Sequence, residues 1–328
     1  MRKITIFVLN YRNMVIMRKI ECFKIRILES DLTHRWDISS QKPLKDILCD
    51  KFSLSLNPVT IVADPFLFVY GDRLYLFYEM KRNYSPGVIC MISTNDLIKW
   101  TESTIVLEEN YHLSYPFVFE DGGSVYMIPE TSDVGDIRLY KADNKNLSHF
   151  SYYRTLVEKD VTESEIGYTD SSIYVNDGIY YLVSSIEKGK QNILYLFTSK
   201  KLEGPYKEHV CSPICMSSKY GRNGGSFIKD DSGNLYRIAQ DCEKRYGDNI
   251  HAFLIDILSS CKYEEHLLKS NLIPLNLPFY KEGGHQLNMV IYKNRMIVAT
   301  DAKDYHSYAI CRIFHKTGLL VSSFLRKI

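Results

Sequence analysis

A chain of 328 residues, 45% of them apolar, is long enough to bury a full core. Its formal net charge of +2 excludes a general nucleic-acid footprint, and no stretch approaches the ~20 apolar residues of a membrane span. Eight cysteines contain no C-x-x-C pair, which argues for reduced thiols in a cytoplasmic protein.

Residues 1–57 read as a short N-terminal appendage. Arg2 and Lys3 precede ITIFVLN, a seven-residue apolar run with no small-residue cleavage site after it. A β-strand suits that run better than a signal segment. A basic apolar stretch, MRKIECFKIRIL, and Trp36 follow. Such a segment could close a ring by pairing with the last repeat.

Residues 58–328 repeat one β-hairpin five times. The copies are ADPFLFVYGDRLYLFYE, SYPFVFEDGGSVYMIPE, TDSSIYVNDGIYYLVSS, GGSFIKDDSGNLYRIAQ and GHQLNMVIYKNRMIVAT. Each has an alternating apolar strand, a polar turn and a second alternating strand. The first strands open at Asp64, Tyr115, Asp170, Gly225 and His285. The second close fifteen residues later, at Glu79, Glu130, Ser185, Gln240 and Thr300. A third strand follows each hairpin: GVICMIS, DIRLYKA, ILYLFTS, IHAFLIDIL and YAICRIF. Units spaced 51 to 60 residues apart predict an all-β fold, a five-bladed β-propeller with a short N-terminal appendage. Equivalent positions in a propeller face one axis, so these ten positions are a predicted ring.

Four carboxyl groups fall on or beside that ring. Asp64, before Pro65, starts an inner strand and suits a base or nucleophile. Glu130 and Asp170 are the candidate general acids, because a partly buried carboxyl group holds its proton to higher pH. Glu79, His112, Tyr115 and His285 are candidate substrate contacts. The fourth repeat, GRNGGSFIKDDSGNLYRIAQDCEKRYGDNIHAF, adds Arg222, Arg237, Gln240 and Asp241 as contacts. With Arg245 nearby, its arginines suggest an anionic or phosphorylated sugar. No second His or Cys stands at ligand spacing, so no protein-bound metal and no organic cofactor is expected. A water-coordinated central ion near His285 stays open.

The pattern ADPFLF…RLYLFYE resembles the five-bladed glycoside hydrolases of family 43 and relatives. More closely, HLSYPFVFEDGGSVYMIPETS, GPYKEHVCSPI, GRNGGSF, LYRIAQDCEKRYGDNI and GGHQLN together resemble the N-terminal domain of glucosamine inositolphosphorylceramide transferases, over roughly residues 58–300. The hydrolase resemblance implies a general base at Asp64. The second-blade aspartate that tunes the acid aligns with Tyr115, and the third-blade catalytic glutamate falls near Asp170. The transferase resemblance implies a setting in surface-glycan or polysaccharide biosynthesis, beside a glycosyltransferase or other glycan-assembly enzyme. Two functions follow. One is an enzyme making or breaking a glycosidic bond. The other is a non-catalytic module that binds a glycan or nucleotide sugar.

Overall fold

The computed structural model describes residues 4–9, 13–30, 34–50, 57–159 and 167–313. The remaining N-terminal residues, among them Arg2 and Lys3, and the last fifteen, including Phe314, lie outside the described residues.

Five antiparallel sheets are arranged as the blades of a propeller. The chain begins with β1 (Ile4–Leu9), β2 (Asn13–Ser30) and β3 (Lys42–Ile47). Blade I follows as β4 (Val59–Tyr70), β5 (Arg73–Arg82), β6 (Gly87–Thr94) and β7 (Thr104–Leu107). Blade II is β8 (Ser114–Asp121), β9 (Ser124–Glu130), β10 (Ile137–Ala142) and β11 (Phe150–Val157). Blade III is β12 (Thr169–Asn176), β13 (Ile179–Lys188) and β14 (Gln191–Ser199), edged by the short β15 (Lys207–Glu208) and β16 (Cys215–Met216). In blade IV the inner strand is split into β17 (Arg222–Asn223) and β18 (Ile228–Lys229). Both pair with β19 (Leu235–Asp241), which leads to β20 (Asn249–Leu258) and β21 (Tyr263–Lys269). Blade V opens with β22 (Leu287–Tyr292) and β23 (Arg295–Ile313). Among the described residues no helix is long and apolar enough to cross a membrane.

The last blade departs from the expected strand order. YAICRI does not form a third strand, because residues 308–313 prolong β23. The third strand is β2, paired along its whole length from Asn13↔Ile313 to Ser30↔Met296, with β3 and β1 beyond it. The start of the chain thus completes the sheet that its end begins. The pairing covers the outer edge of β23, which would otherwise be open to another chain.

Apolar side chains meet in the seams between blades. Ile25, Leu74, Leu76 and Ile297 join V to I, and Phe77, Met91, Val118 and Met127 join I to II. Phe117, Ile128, Ile173 and Leu182 join II to III, and Ile238, Ile250, Leu287 and Val298 join IV to V. The III–IV seam has the smallest apolar cluster, with Tyr181, Val183, Leu194 and Leu196 buried.

One local device recurs in the first three blades. The ladder slips between Ala63 and Phe66, Ser114 and Phe117, and Thr169 and Ser172. Inside each bulge a non-glycine residue holds a left-handed backbone: Asp64 at φ 53°, Tyr115 at 45° and Asp170 at 52°. That conformation costs about 1–2 kcal/mol per residue. A bulge re-aims the side chain it carries. All three are buried beside the axis.

Candidate active site at the propeller axis

Four of the five opening positions are bonded to one another, and Asp170 joins them through its neighbours on blade IV. Asp64 of blade I accepts the Tyr115 backbone N–H of blade II at 3.1 Å, and its other oxygen lies 3.1 Å from His285 Nε2 of blade V. The Tyr115 hydroxyl crosses to blade IV, donating to the Gly225 carbonyl at 2.7 Å. Gly225 is required there: a Cβ would meet the Leu287 carbonyl oxygen at 2.0 Å. From blade IV, Arg222 Nε donates to Asp170 Oδ2 of blade III at 2.5 Å, and Gln240 Nε2 donates to the same oxygen at 3.0 Å. Asn223 Nδ2 donates to the Asp170 carbonyl at 2.8 Å. These polar bonds tie the seam that has the least apolar packing.

Around Asp64 the charges form a triad. His285 Nδ1 is 2.8 Å from Asp301 Oδ2, a close ion contact out of hydrogen-bonding line. Asp301 also accepts the backbone N–H groups of His285, Gln286 and Asp64. Burial alone would lower the His285 pKa, but Asp301 and then Asp64 outweigh it and hold the imidazolium well above its usual range. Burial likewise pushes Asp64 up, and the charge and hydrogen bond of His285 reverse that, leaving the carboxylate below its ordinary value. Asp64, His285 and Asp301 each offer a donor atom within 4.8 Å of the others. An imidazolium between two carboxylates is already neutralised, and a directly bound cation would have to displace its protons.

A second pair of acids behaves in the opposite way. Burial, then the charge of Asp170, drives Glu130 up to about 8. Ser132 Oγ donates to Glu130 Oε1 at 2.8 Å, and Arg222 reaches Oε2 at 3.4 Å. Burial also raises Asp170, but Arg222 opposes it, and the contact between the two acids puts the shared proton on Glu130. Glu79 is driven well above its usual range by burial and by Asp64. Its Oε1 lies 3.4 Å from His112 Nε2 without an aligned hydrogen bond. His112 Nδ1 accepts the Gly87 N–H at 2.8 Å, so the neutral ring carries its proton on Nε2, toward Glu79.

The basic fourth blade requires correction. Arg237 is turned away from the axis: its Nε and Nη2 clasp Glu265 of β21 at 2.8 and 2.5 Å, and Nη1 donates to the Tyr220 carbonyl. Asp241 also leaves the ring, with Oδ2 3.2 Å from His251 Nε2. Successive strand residues face opposite sides, so with Gln240 inward both must face outward. Arg245 pairs with Asp248 at 2.7 Å and approaches Glu282 at 3.5 Å. Each of the three arginines already faces a carboxylate, so the blade presents no row of uncompensated cations.

Sequence reasoning missed two contributors. Asp301 stands one residue past the repeat's closing position. Tyr246, in the loop after β19, has its ring centroid 5.0 Å from that of His285, and the Arg222 Cζ lies 5.2 Å from it. The residue is 41% exposed, while its hydroxyl end sits among Arg222, Asp64, Asp170 and Glu130. The Tyr246 carbonyl accepts from the buried Lys303 Nζ, which fixes this loop over the axis. A separate cavity of about 450 Å³, lined by Ile179, Thr198, Lys200 and Pro205, lies on the outer part of blade III and touches none of these groups.

Sheet order and site together define a five-bladed propeller with a carboxylate-rich axis, and solved structures share that architecture. The GH43 protein BlXynB of Bacillus licheniformis superposes with a TM-score of 0.56 at 15% identity, over 82% of this chain and 54% of its own. The alpha-L-arabinofuranosidase of Lactobacillus brevis gives 0.55 at 12% identity, over 79% of this chain and 92% of its own. At such identities the likeness concerns the fold. The family assignment comes from sequence. Residues 15–277 match the family model "Glucosamine inositolphosphorylceramide transferase 1, N-terminal", and the chain belongs to that family. The Arabidopsis thaliana glucosamine inositolphosphorylceramide transferase 1 is 35% identical over 253 residues, covering 74% of this chain. The Oryza sativa subsp. japonica protein of the same name is 35% identical over 67% of it. The chain spans about a third of the length of these relatives, 31% and 28%.

Proposed function

We propose that this chain is a carbohydrate-active enzyme that makes or breaks a glycosidic bond at the propeller axis, in the assembly of a surface glycan or polysaccharide. One arrangement carries the reading: two buried axial carboxyl groups have opposite surroundings, Asp64 3.1 Å from the His285 imidazolium and Glu130 accepting from Ser132 beside Asp170, which push Asp64 toward the ionised form and Glu130 up to about 8. Glycosidic chemistry needs that division. Asp64 would take the proton of an attacking hydroxyl as its oxygen bonds the anomeric carbon. Glu130 would give its proton to the leaving oxygen as the old bond breaks. Arg222 opposes the rise that burial gives Asp170, which favours leaving the shared proton on Glu130. Tyr246, half open to solvent, supplies a face on which a sugar ring can stack. The names of the relatives point to sugar transfer onto a lipid-linked inositol phosphate. Because the chain covers about a third of them, that specific activity is a narrower reading of the same site.

The second reading is a non-catalytic glycan- or nucleotide-sugar-binding module beside a glycosyltransferase. Tyr115 favours it, since the second-blade opening carries a phenol whose hydroxyl is committed to Gly225 in place of a carboxylate.

Asp64→Asn and Glu130→Gln separate the two. With a panel of oligosaccharides and nucleotide sugars, turnover and calorimetric affinity are measured side by side. The enzyme reading expects turnover to fall by about 10²–10⁴ in either variant while affinity changes little. Wild-type binding without turnover, with affinity lost in the variants, would install the binding module instead.

A further inference from the structure

Away from the axis, three soft or borderline donors converge where the ring is closed. Cys22 lies on β2, Cys49 follows β3, and His306 lies on β23. Their ligand atoms are within 4.8 Å of one another, with both cysteines buried. Cys49 Sγ is 3.5 Å from His306 Nδ1. A tetrahedral zinc site with Zn–S of about 2.3 Å and Zn–N of about 2.0 Å has an S···N edge of about 3.5 Å. The imidazole is also buttressed: its Nε2 lies 3.3 Å from Asp304 Oδ2, and Lys24 Nζ holds that carboxylate at 2.8 Å. A carboxylate behind a histidine is the usual outer support of a metal-bound imidazole.

We propose that Cys22, Cys49 and His306 form a structural site for a thiophilic divalent cation of the zinc type, which clamps the first long strand and the segment after β3 to the last blade. The two thiols form no disulfide. Cysteine binds such a cation as the thiolate, so binding would release thiol protons and strengthen with rising pH. The fourth position falls to water or to the Asp50 carbonyl, which lies 2.8 Å from Nδ1. No local spacing could reveal such a site, because Cys22 pairs across the sheet with Asp304, 282 positions away. It departs from the expectation that the chain binds no metal through its own side chains.

The reduced, chelator-treated full chain should be titrated with Co²⁺. The expected result is one equivalent bound, with a thiolate-to-cobalt charge-transfer band and tetrahedral ligand-field bands that Zn²⁺ abolishes. Zn²⁺ should also raise the melting temperature. Cys49→Ser should weaken or erase the charge-transfer band. Should the buried serine variant fail to fold, Asp304→Asn tests the same point at the surface, with Co²⁺ affinity falling about tenfold to a hundredfold. A titration without a charge-transfer band overturns the proposal. So does binding that both substitutions leave unchanged, or purified protein in which Cys22 and Cys49 are joined as a disulfide.

Discussion

His285 Nε2 lies 3.1 Å from Asp64 Oδ1, so the opening position of the fifth repeat sets the charge state of the opening position of the first. Both are buried: His285 keeps Asp64 ionised, and Asp301 and then Asp64 keep His285 charged. Replacing His285 with Gln leaves the Asp64 carboxylate without its cation. Breaking a buried pair in this way costs about 3–5 kcal/mol. The His285 pKa is raised, so its stabilisation is complete below 6.5 and fades as pH climbs through the higher folded value. Asp64 is lowered, so its stabilisation is present above 3.8 and fades as pH falls through the lower folded value. Urea unfolding across pH should show the wild type losing stability at both ends and His285→Gln uniformly weaker between them. A His285→Gln variant as stable as wild type at neutral pH would contradict the triad.

Glu130 gives a second pH signature. Its folded value near 8 exceeds the ordinary 4.5, so the native state binds more protons than the unfolded chain between those limits. Stability from this group falls as pH rises through that window. Glu130→Gln removes the slope. Its unfolding free energy should differ little from wild type at acidic pH and should exceed it above about pH 8. Parallel curves for the two proteins would count against a protonated Glu130.

Much of the fold is legible in the sequence because a hairpin is local. Strand alternation and the fifteen-residue offset locate all five blades, and the ladder keeps the residue before each opening opposite the closing one in blades I to III. The pairing of β2 with β23 joins residues some 280 positions apart and leaves no local trace. Aspartate tolerates the left-handed bulges at positions 64 and 170, but Tyr115 in the same conformation shows that residue preference alone does not mark them. At the site, Asp64, Glu130, Asp170 and His285 could be named from the repeat, and Arg222 from the GRNGGSF motif of the fourth copy. Arg237 and Asp241 could have been excluded by alternation against Gln240. Tyr246 and Asp301 sit outside the repeated positions, and only the three-dimensional arrangement brings them in.

Arg237 supplies a contrast to Arg222. Its guanidinium is buried against Glu265 and makes no contact with the axis. Arg237→Gln should cost about 3–5 kcal/mol in unfolding free energy while leaving the ligand affinity of the folded protein unchanged. Calorimetry paired with denaturation checks it. A selective loss of affinity for an anionic sugar would return Arg237 to the site.

The Tyr115–Gly225 bridge should behave as structure. Tyr115→Phe leaves the buried Gly225 carbonyl and N–H without their partner, at about 1–3 kcal/mol. Gly225→Ala puts a methyl group 2.0 Å from the Leu287 carbonyl oxygen and should lose well over 1 kcal/mol. Thermal denaturation measures both. Near-neutral effects would mean that blades II and IV are not joined through this bond.

The most direct test is a ¹³C NMR titration of the carboxyl carbons, with Glu130→Gln and Asp64→Asn used to assign the two signals. Glu130 should remain protonated at pH 7 and titrate near 8, while Asp64 should be ionised throughout and titrate below 3.8. Both groups titrating together in the ordinary carboxylate range would contradict the division into acid and base.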